Sequence, residues 1–77
     1  MTYNETIIIG SIIKITKDHH NTTIYDDRTN THWSILNLKG EVIDIIYPQN
    51  NIKIKLIWPF LNNVILTIPI NTVVLNN

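Results

Sequence analysis

The chain has 77 residues. That is enough for one small domain, whose core hides only roughly 60–65% of the surface its unfolded form exposes. With no cysteine and six basic residues balanced by six acidic ones, it excludes a disulfide and any thiolate-held zinc or iron–sulfur centre of its own, and it carries no net field toward nucleic acid or an anionic membrane.

Composition then selects the class of structure. Seventeen isoleucines, nine threonines and four valines stand beside no alanine, one glutamine and two glutamates. β-branched side chains are stiff at χ1 and suit a pleated sheet. Eleven asparagines supply turns. Residues 1–77 therefore read as a single all-β domain, with residues 1–6 as a flexible N-terminus. That N-terminus lacks the basic residue and long apolar core of a secretory signal, so secretion is not expected. No apolar run approaches the roughly 20 residues of a spanning helix. Asn4-Glu5-Thr6 and Asn21-Thr22-Thr23 match the glycosylation sequon, a coincidence to be expected in a chain so rich in Asn and Thr.

In chain order, Ile7 to Thr16 reads as a first strand broken at Gly10-Ser11, with Ile13 and Ile15 alternating with Lys14 and Thr16. Lys17 to Asn21 is polar, and Thr22-Thr23-Ile24-Tyr25 is a short β-prone piece. Asp26 to Thr31 has turn chemistry. Gly40 stands where a polar segment passes into a second long strand, Val42 to Tyr47, and is expected to supply a positive φ for a turn or bulge at that strand's entrance. Pro48-Gln49-Asn50-Asn51 makes a turn. Ile52 to Trp58 is the clearest half-buried strand: Ile52, Ile54, Leu56 and Trp58 fall on one face, Lys53 and Lys55 on the other. Pro59 to Asn63 turns again, Val64 to Ile68 is a strand, Pro69-Ile70-Asn71-Thr72 suits a 3₁₀ turn, and Val73-Val74-Leu75 closes the chain.

A strand, a long loop, three strands on short turns, a 3₁₀ turn and a last short strand make the layout of a five-stranded barrel of the Src-homology-three type. An oligonucleotide-binding barrel is the runner-up. Gly10, Gly40 and Pro69 are its structural turn residues. Ile7-Ile8-Ile9, Val64-Ile65-Leu66 and Val73-Val74-Leu75 are apolar at adjacent positions, so alternation places some of each outside. An exposed apolar patch that buries against another chain is expected.

Catalytic chemistry is hard to find. His19-His20 and His32 have no third ligand at a metal-binding spacing and read as solvated loop histidines. Asp26-Asp27 reads as a turn-initiating pair rather than a catalytic dyad. No phosphate loop or Ser–His–Asp order occurs. No catalytic, cofactor-binding or metal residue is therefore assigned. Tyr25, His32, Trp33, Trp58 and Phe60 are candidates for a partner interface, because aromatic residues anchor interfaces. For Trp58 the core is the stronger expectation, and Trp33 fits either place. Lys14, Lys17, Lys39, Lys53 and Lys55 would otherwise form a solvated basic face.

Several of these pieces recur together. Gly10-Ser11-Ile12-Ile13-Lys14-Ile15, then Thr22-Thr23-Ile24-Tyr25, then Trp33-Ser34-Ile35 and Asn37-Leu38-Lys39-Gly40-Glu41-Val42 resemble the variable (alpha) chain of ferredoxin–thioredoxin reductase. Asn37 stands where that family usually has Gly, and Asp26-Asp27 where it has paired His. The resemblance implies a small barrel that is not itself catalytic. It would pack on a larger subunit expected to carry the iron–sulfur cluster and redox disulfide, in a plastid stroma or a cyanobacterial-type cytoplasm. Two rival readings stay open. One is a ferredoxin-docking barrel subunit of photosystem I or of the chloroplast NDH complex. The other is a free RNA- or peptide-binding barrel.

Overall fold

The computed structural model describes residues 6–58 and 64–76. Among the described residues, seven strands and one 3₁₀ turn follow in order: β1 (Ile12–Ile15), β2 (Thr23–Asp26), β3 (Thr31–Ser34), β4 (Lys39–Ile46), β5 (Asn51–Trp58), β6 (Ile65–Pro69), the 3₁₀ turn Ile70–Thr72, and β7 (Val73–Leu75). Five strands form one antiparallel sheet in the order β6-β5-β4-β1-β7, and β2 and β3 form a separate hairpin. The all-β class read from composition is the class observed.

The long strands form where alternation is cleanest. Along β5, Ile52, Ile54 and Leu56 are buried while Lys53, Lys55 and Ile57 are exposed. Register carries this division across the sheet: Val42 opposes Ile54, Ile52 opposes Ile68, and Ile15 opposes Val73. These inward side chains, with Ile13, Ile35, Leu38 and Leu56, make one core, against which Ile24, Trp33, Leu66 and Leu75 pack. Ile13, Ile15, Val42, Ile52 and Ile54 are wholly inaccessible. At roughly 1.5–3 kcal/mol for each fully buried aliphatic side chain, this cluster is the main stabilising term of so small a domain.

β6 and β7 are the sheet's two edges, and no ladder joins them among the described residues. The segment between them is tied down by single backbone bonds instead. Thr16 and Lys17 N–H both donate to the Thr72 carbonyl (2.9 and 3.2 Å), and Ile70 N–H donates to the Asn50 carbonyl (2.8 Å). The 3₁₀ turn lies as expected, with Pro69 ending β6 immediately before it.

Several elements differ from the sequence reading. The first strand starts only at Ile12. A turn precedes it, with Gly10 at φ +96° and Ser11 N–H bonded to the Ile8 carbonyl (3.0 Å). The long loop holds a complete hairpin, since β3 pairs with β2 from Thr23 opposite Ser34 to Asp26 opposite Thr31. Thr31-His32-Trp33-Ser34 has no apolar alternation to announce a strand. It becomes one because the turn before it folds it back on β2. β4 begins three residues before Val42, and Gly40 lies inside it rather than at its entrance. The left-handed residue there is Asn37 (φ +71°), and Asn21, Asn30 and Asn50 take the same conformation at φ +51° to +58°. Asparagine enters that region more readily than most L-residues, which is how a chain with two glycines still makes its turns. Trp58 opposes Lys39 after a register shift, so the alternation of Ile52, Ile54 and Leu56 is interrupted before it. The expectations for the Trp58 side chain, for Phe60 and the Pro59–Asn63 turn, and for residues 1–5 of the N-terminus fall outside what is described.

Gly40 has a different role from the one expected. Its inner face lies so close to β5 that an added Cβ would meet the Lys55 carbonyl oxygen at 2.9 Å and the Ile54 Cδ1 at 3.3 Å. The first contact is with backbone, so relief requires moving a strand. Gly40→Ala is expected to lose about 1–3 kcal/mol by overpacking, read as a lower urea midpoint and a Tm lower by roughly 4–8 °C per kcal/mol. A variant as stable as the parent would refute the close-approach account.

Candidate functional site

The β2–β3 hairpin holds three of the five expected interface residues and divides them between two faces. Tyr25 and His32 oppose each other across the ladder, with ring centroids 5.1 Å apart and planes tilted at 52°. Both are exposed, and the Tyr25 hydroxyl donates to Asn30 Oδ1 (2.6 Å). Trp33 and Ile24 form the neighbouring pair, which points the other way and packs against the core. Tyr25 and His32 thus make an outward aromatic pair, and Trp33 is half-buried beneath them. An aromatic–aromatic cross-strand pair contributes roughly 0.2–1 kcal/mol, which helps hold a hairpin this short.

The turn at the hairpin's tip explains the acidic pair. Asp26 is only 3% exposed and Asp27 is exposed. Asp26 Oδ1 accepts from the Arg28 amide (3.1 Å) and from Arg28 Nε (3.4 Å), the geometry of an Asx turn closed by an ion pair. Burial works against the charged form of Asp26. The Arg28 amide, the Arg28 guanidinium and the Thr29 side chain outweigh it and hold the carboxyl below its ordinary value. The preceding loop uses the same device. Asp18 Oδ1 accepts from His20 N–H and the Thr22 hydroxyl, and Asp18 Oδ2 from Thr22 N–H (2.7 Å). His19 and His20 are exposed, and no group of three or more His, Asp or Glu side chains among the described residues is placed to hold a metal ion.

The sheet's outer face is the second candidate surface. The ladder registers arrange it in rows. Ile65, Lys55, Glu41 and Ile12 form one row, Thr67, Lys53 and Asp44 the next, and Val74, Lys14 and Lys39 a third. Ile65 is 55% exposed, Val74 47% and Ile57 43%. Ile8 and Ile9, ahead of β1, are each about 60% exposed. Of the three adjacent apolar runs in the sequence, each leaves at least one large side chain in solvent: Ile8 and Ile9, Ile65, and Val74. Lys14, Lys39, Lys53 and Lys55 make no ion pair with another described residue. The outer face is therefore a mixed surface, with lysines interleaved with aliphatic side chains. Ile12 and Ile57 were not anticipated on it. The signal was there, because both share strand parity with flanking lysines.

Among the described residues no helix is long and apolar enough to cross a membrane.

The Asp26 geometry has a pH signature. A carboxyl whose value is lowered by folding contributes stability above its unfolded value, near about 3.9. That contribution is lost as pH falls through the lower folded value. In urea unfolding across pH, Asp26→Asn should therefore cost stability fully at neutral pH, and the gap to the parent should close in acid below about pH 4. A gap that does not change with pH would show that the charge of Asp26 contributes nothing.

No protein-family model, no curated protein and no solved structure matches the chain.

Proposed function

We propose that the chain is a non-catalytic accessory subunit that packs on a larger iron–sulfur redox partner and stabilises it, as the small barrel does in ferredoxin–thioredoxin reductase. The same proposal takes the fold as a barrel of the Src-homology-three type. What supports that type is the strand order β6-β5-β4-β1-β7, the hairpin between the first two sheet strands and the 3₁₀ turn before the last. The observation that carries the functional reading is the set of exposed aliphatic side chains, Ile8, Ile9, Ile57, Ile65 and Val74, around a core that is already complete without them. Aliphatic side chains left in solvent on a domain this small favour a partner that covers them. The class of partner comes from the run Trp33-Ser34-Ile35 to Gly40-Glu41-Val42. The plastid or cyanobacterial-type setting belongs to the same proposal.

The outer-face lysines favour a second reading, a free RNA-binding barrel. Lys14, Lys39, Lys53 and Lys55 share one face, with Glu41 opposite Lys55 and Asp44 opposite Lys53 on it. Salt separates the two readings, because binding through phosphates weakens steeply as salt rises.

The test is affinity purification of the tagged chain from its native source, followed by mass spectrometry and an iron assay. One larger, iron-containing protein is expected at fixed stoichiometry and resistant to salt. Ile65→Asp, on the outer face and away from the core, should weaken that association at least about tenfold, ~1.4 kcal/mol, with the fold intact. Recovery of the chain alone, or with RNA that washes off in salt, would exclude the accessory-subunit reading.

A further inference from the structure

The centre of the sheet's outer face carries four charges in an ordered pattern. Lys53 and Lys55 stand on β5, and across the ladder on β4 Asp44 lies opposite Lys53 and Glu41 opposite Lys55. All four side chains are exposed. One strand further out on either side of the Lys55 row lie Ile65 of β6 and Ile12 of β1. Taken from β6 to β1, that row is apolar, basic, acidic, apolar. Each lysine has a carboxylate on the next strand, yet none of the four makes an ion pair with another described residue. Side chains on a strand stand roughly perpendicular to the sheet, so neighbours run side by side and present their ends to whatever lies above. One oxygen of Asp44 accepts from the Ile45 amide (2.8 Å), which holds that carboxylate in its place.

Such a face is complementary to itself. A two-fold axis laid along the strands, between β4 and β5, places β5 of a second copy over β4 of the first. Lys55 then faces Glu41 of the second copy, Lys53 faces Asp44 of the second copy, and Ile65 faces Ile12 of the second copy. A two-fold interface makes every such contact twice. Stacked sheets lie about 10 Å apart, a span that a lysine and a carboxylate reaching toward each other bridge. An axis laid across the strands instead sets lysine over lysine and carboxylate over carboxylate. The charges therefore admit one orientation and reject the other. Lys39 is level with Trp58 on β5, so the admitted rotation sets no lysine of β5 against it.

We propose that the outer face docks a second copy of this chain, in a two-fold dimer joined by Lys55–Glu41 and Lys53–Asp44 contacts between copies. Exposed ion pairs contribute little individually, and the aliphatic contacts beside them are few. The dimer is therefore weak and reversible, and a larger partner with more apolar surface can displace it. The inference depends on the charge pattern of this face and requires no iron-containing partner. A chain that stays monomeric overturns it and leaves the accessory-subunit reading standing; purification without an iron protein does the reverse.

The test is charge exchange, read by sedimentation equilibrium over a concentration series. At low salt the parent should approach twice the chain's 9.0 kDa as concentration rises. Lys55→Glu sets glutamate over Glu41 of the second copy, and Glu41→Lys sets lysine over Lys55 of the second copy. Each variant alone should dimerise at least about tenfold more weakly than the parent. An equimolar mixture of the two should recover the parental affinity as a heterodimer, seen in native mass spectrometry, because each copy then offers the charge the other lacks. Both changes in one chain should restore the homodimer. Mixing cures no folding defect, since the like charges within each variant remain. Should either variant fail to fold, Lys53→Glu and Asp44→Lys repeat the exchange in the next row. A parent that remains monomeric, single variants that dimerise as the parent does, or a mixture that does not associate would each overturn the proposal.

Discussion

At Gly40 the backbone of β4 comes so near β5 that a methyl group would lie 2.9 Å from the Lys55 carbonyl oxygen. β4 is the middle strand of the sheet, paired with β1 on one side and with β5 on the other. Its position sets where Val42 meets Ile54, where Ile13 faces the core, and how Glu41 lines up with Lys55 and Ile12 outside. A β-sheet has a side-chain period of two, so an error of one residue here would turn the core outward. The close approach and the two register shifts in this ladder, one beside Gly40 and one beside Ile43, fix the pairing that keeps Val42, Ile52, Ile54 and Leu56 inside and Glu41, Lys53 and Lys55 outside.

The sorting is incomplete, and that incompleteness carries the functional argument. The inner face is saturated: its central residues have no accessible surface. The isoleucines left over stand on the outer face among lysines or in the segment before β1. Nor does a ladder join the two edges among the described residues. β6 and β7 are bridged by single hydrogen bonds through the 3₁₀ turn, and the opening beside them becomes a cavity rimmed by the Lys17–His20 loop. A small sheet with no ladder between its edges among the described residues thus presents a mixed outer face and a cavity at the seam.

Much of the fold could be read directly. The strand at Ile52–Leu56 follows from alternation alone, and the turn at Pro48–Asn50 and the 3₁₀ turn after Pro69 follow from local backbone preference. Where prediction failed, a local preference was overruled by a distant partner. Thr31–Ser34 is a strand because β2 lies beside it. Gly40 is needed for packing distance, whereas the turn conformation expected of it is taken by Asn37. Of the candidate interface, Tyr25 and His32 were legible as aromatic residues near a turn. That Trp33 faces the core while its two neighbours in the pairing face solvent depends on hairpin register, which no single segment encodes.

The sequence by itself determined the all-β class, the turns at Pro48–Asn50 and after Pro69, and the excess of aliphatic side chains, because each depends on residue type and short-range spacing. It also excluded thiol chemistry from this chain, since there is no cysteine to perform it. Only the tertiary structure decided which isoleucines remain outside, that Asp26 is buried against Arg28, and that His19 and His20 border an opening onto the core. The reason is physical. Residue type and local backbone preference act over a few neighbours, whereas burial, register and the meeting of a loop with an edge strand some fifty residues away arise only when the whole sheet has assembled over its core.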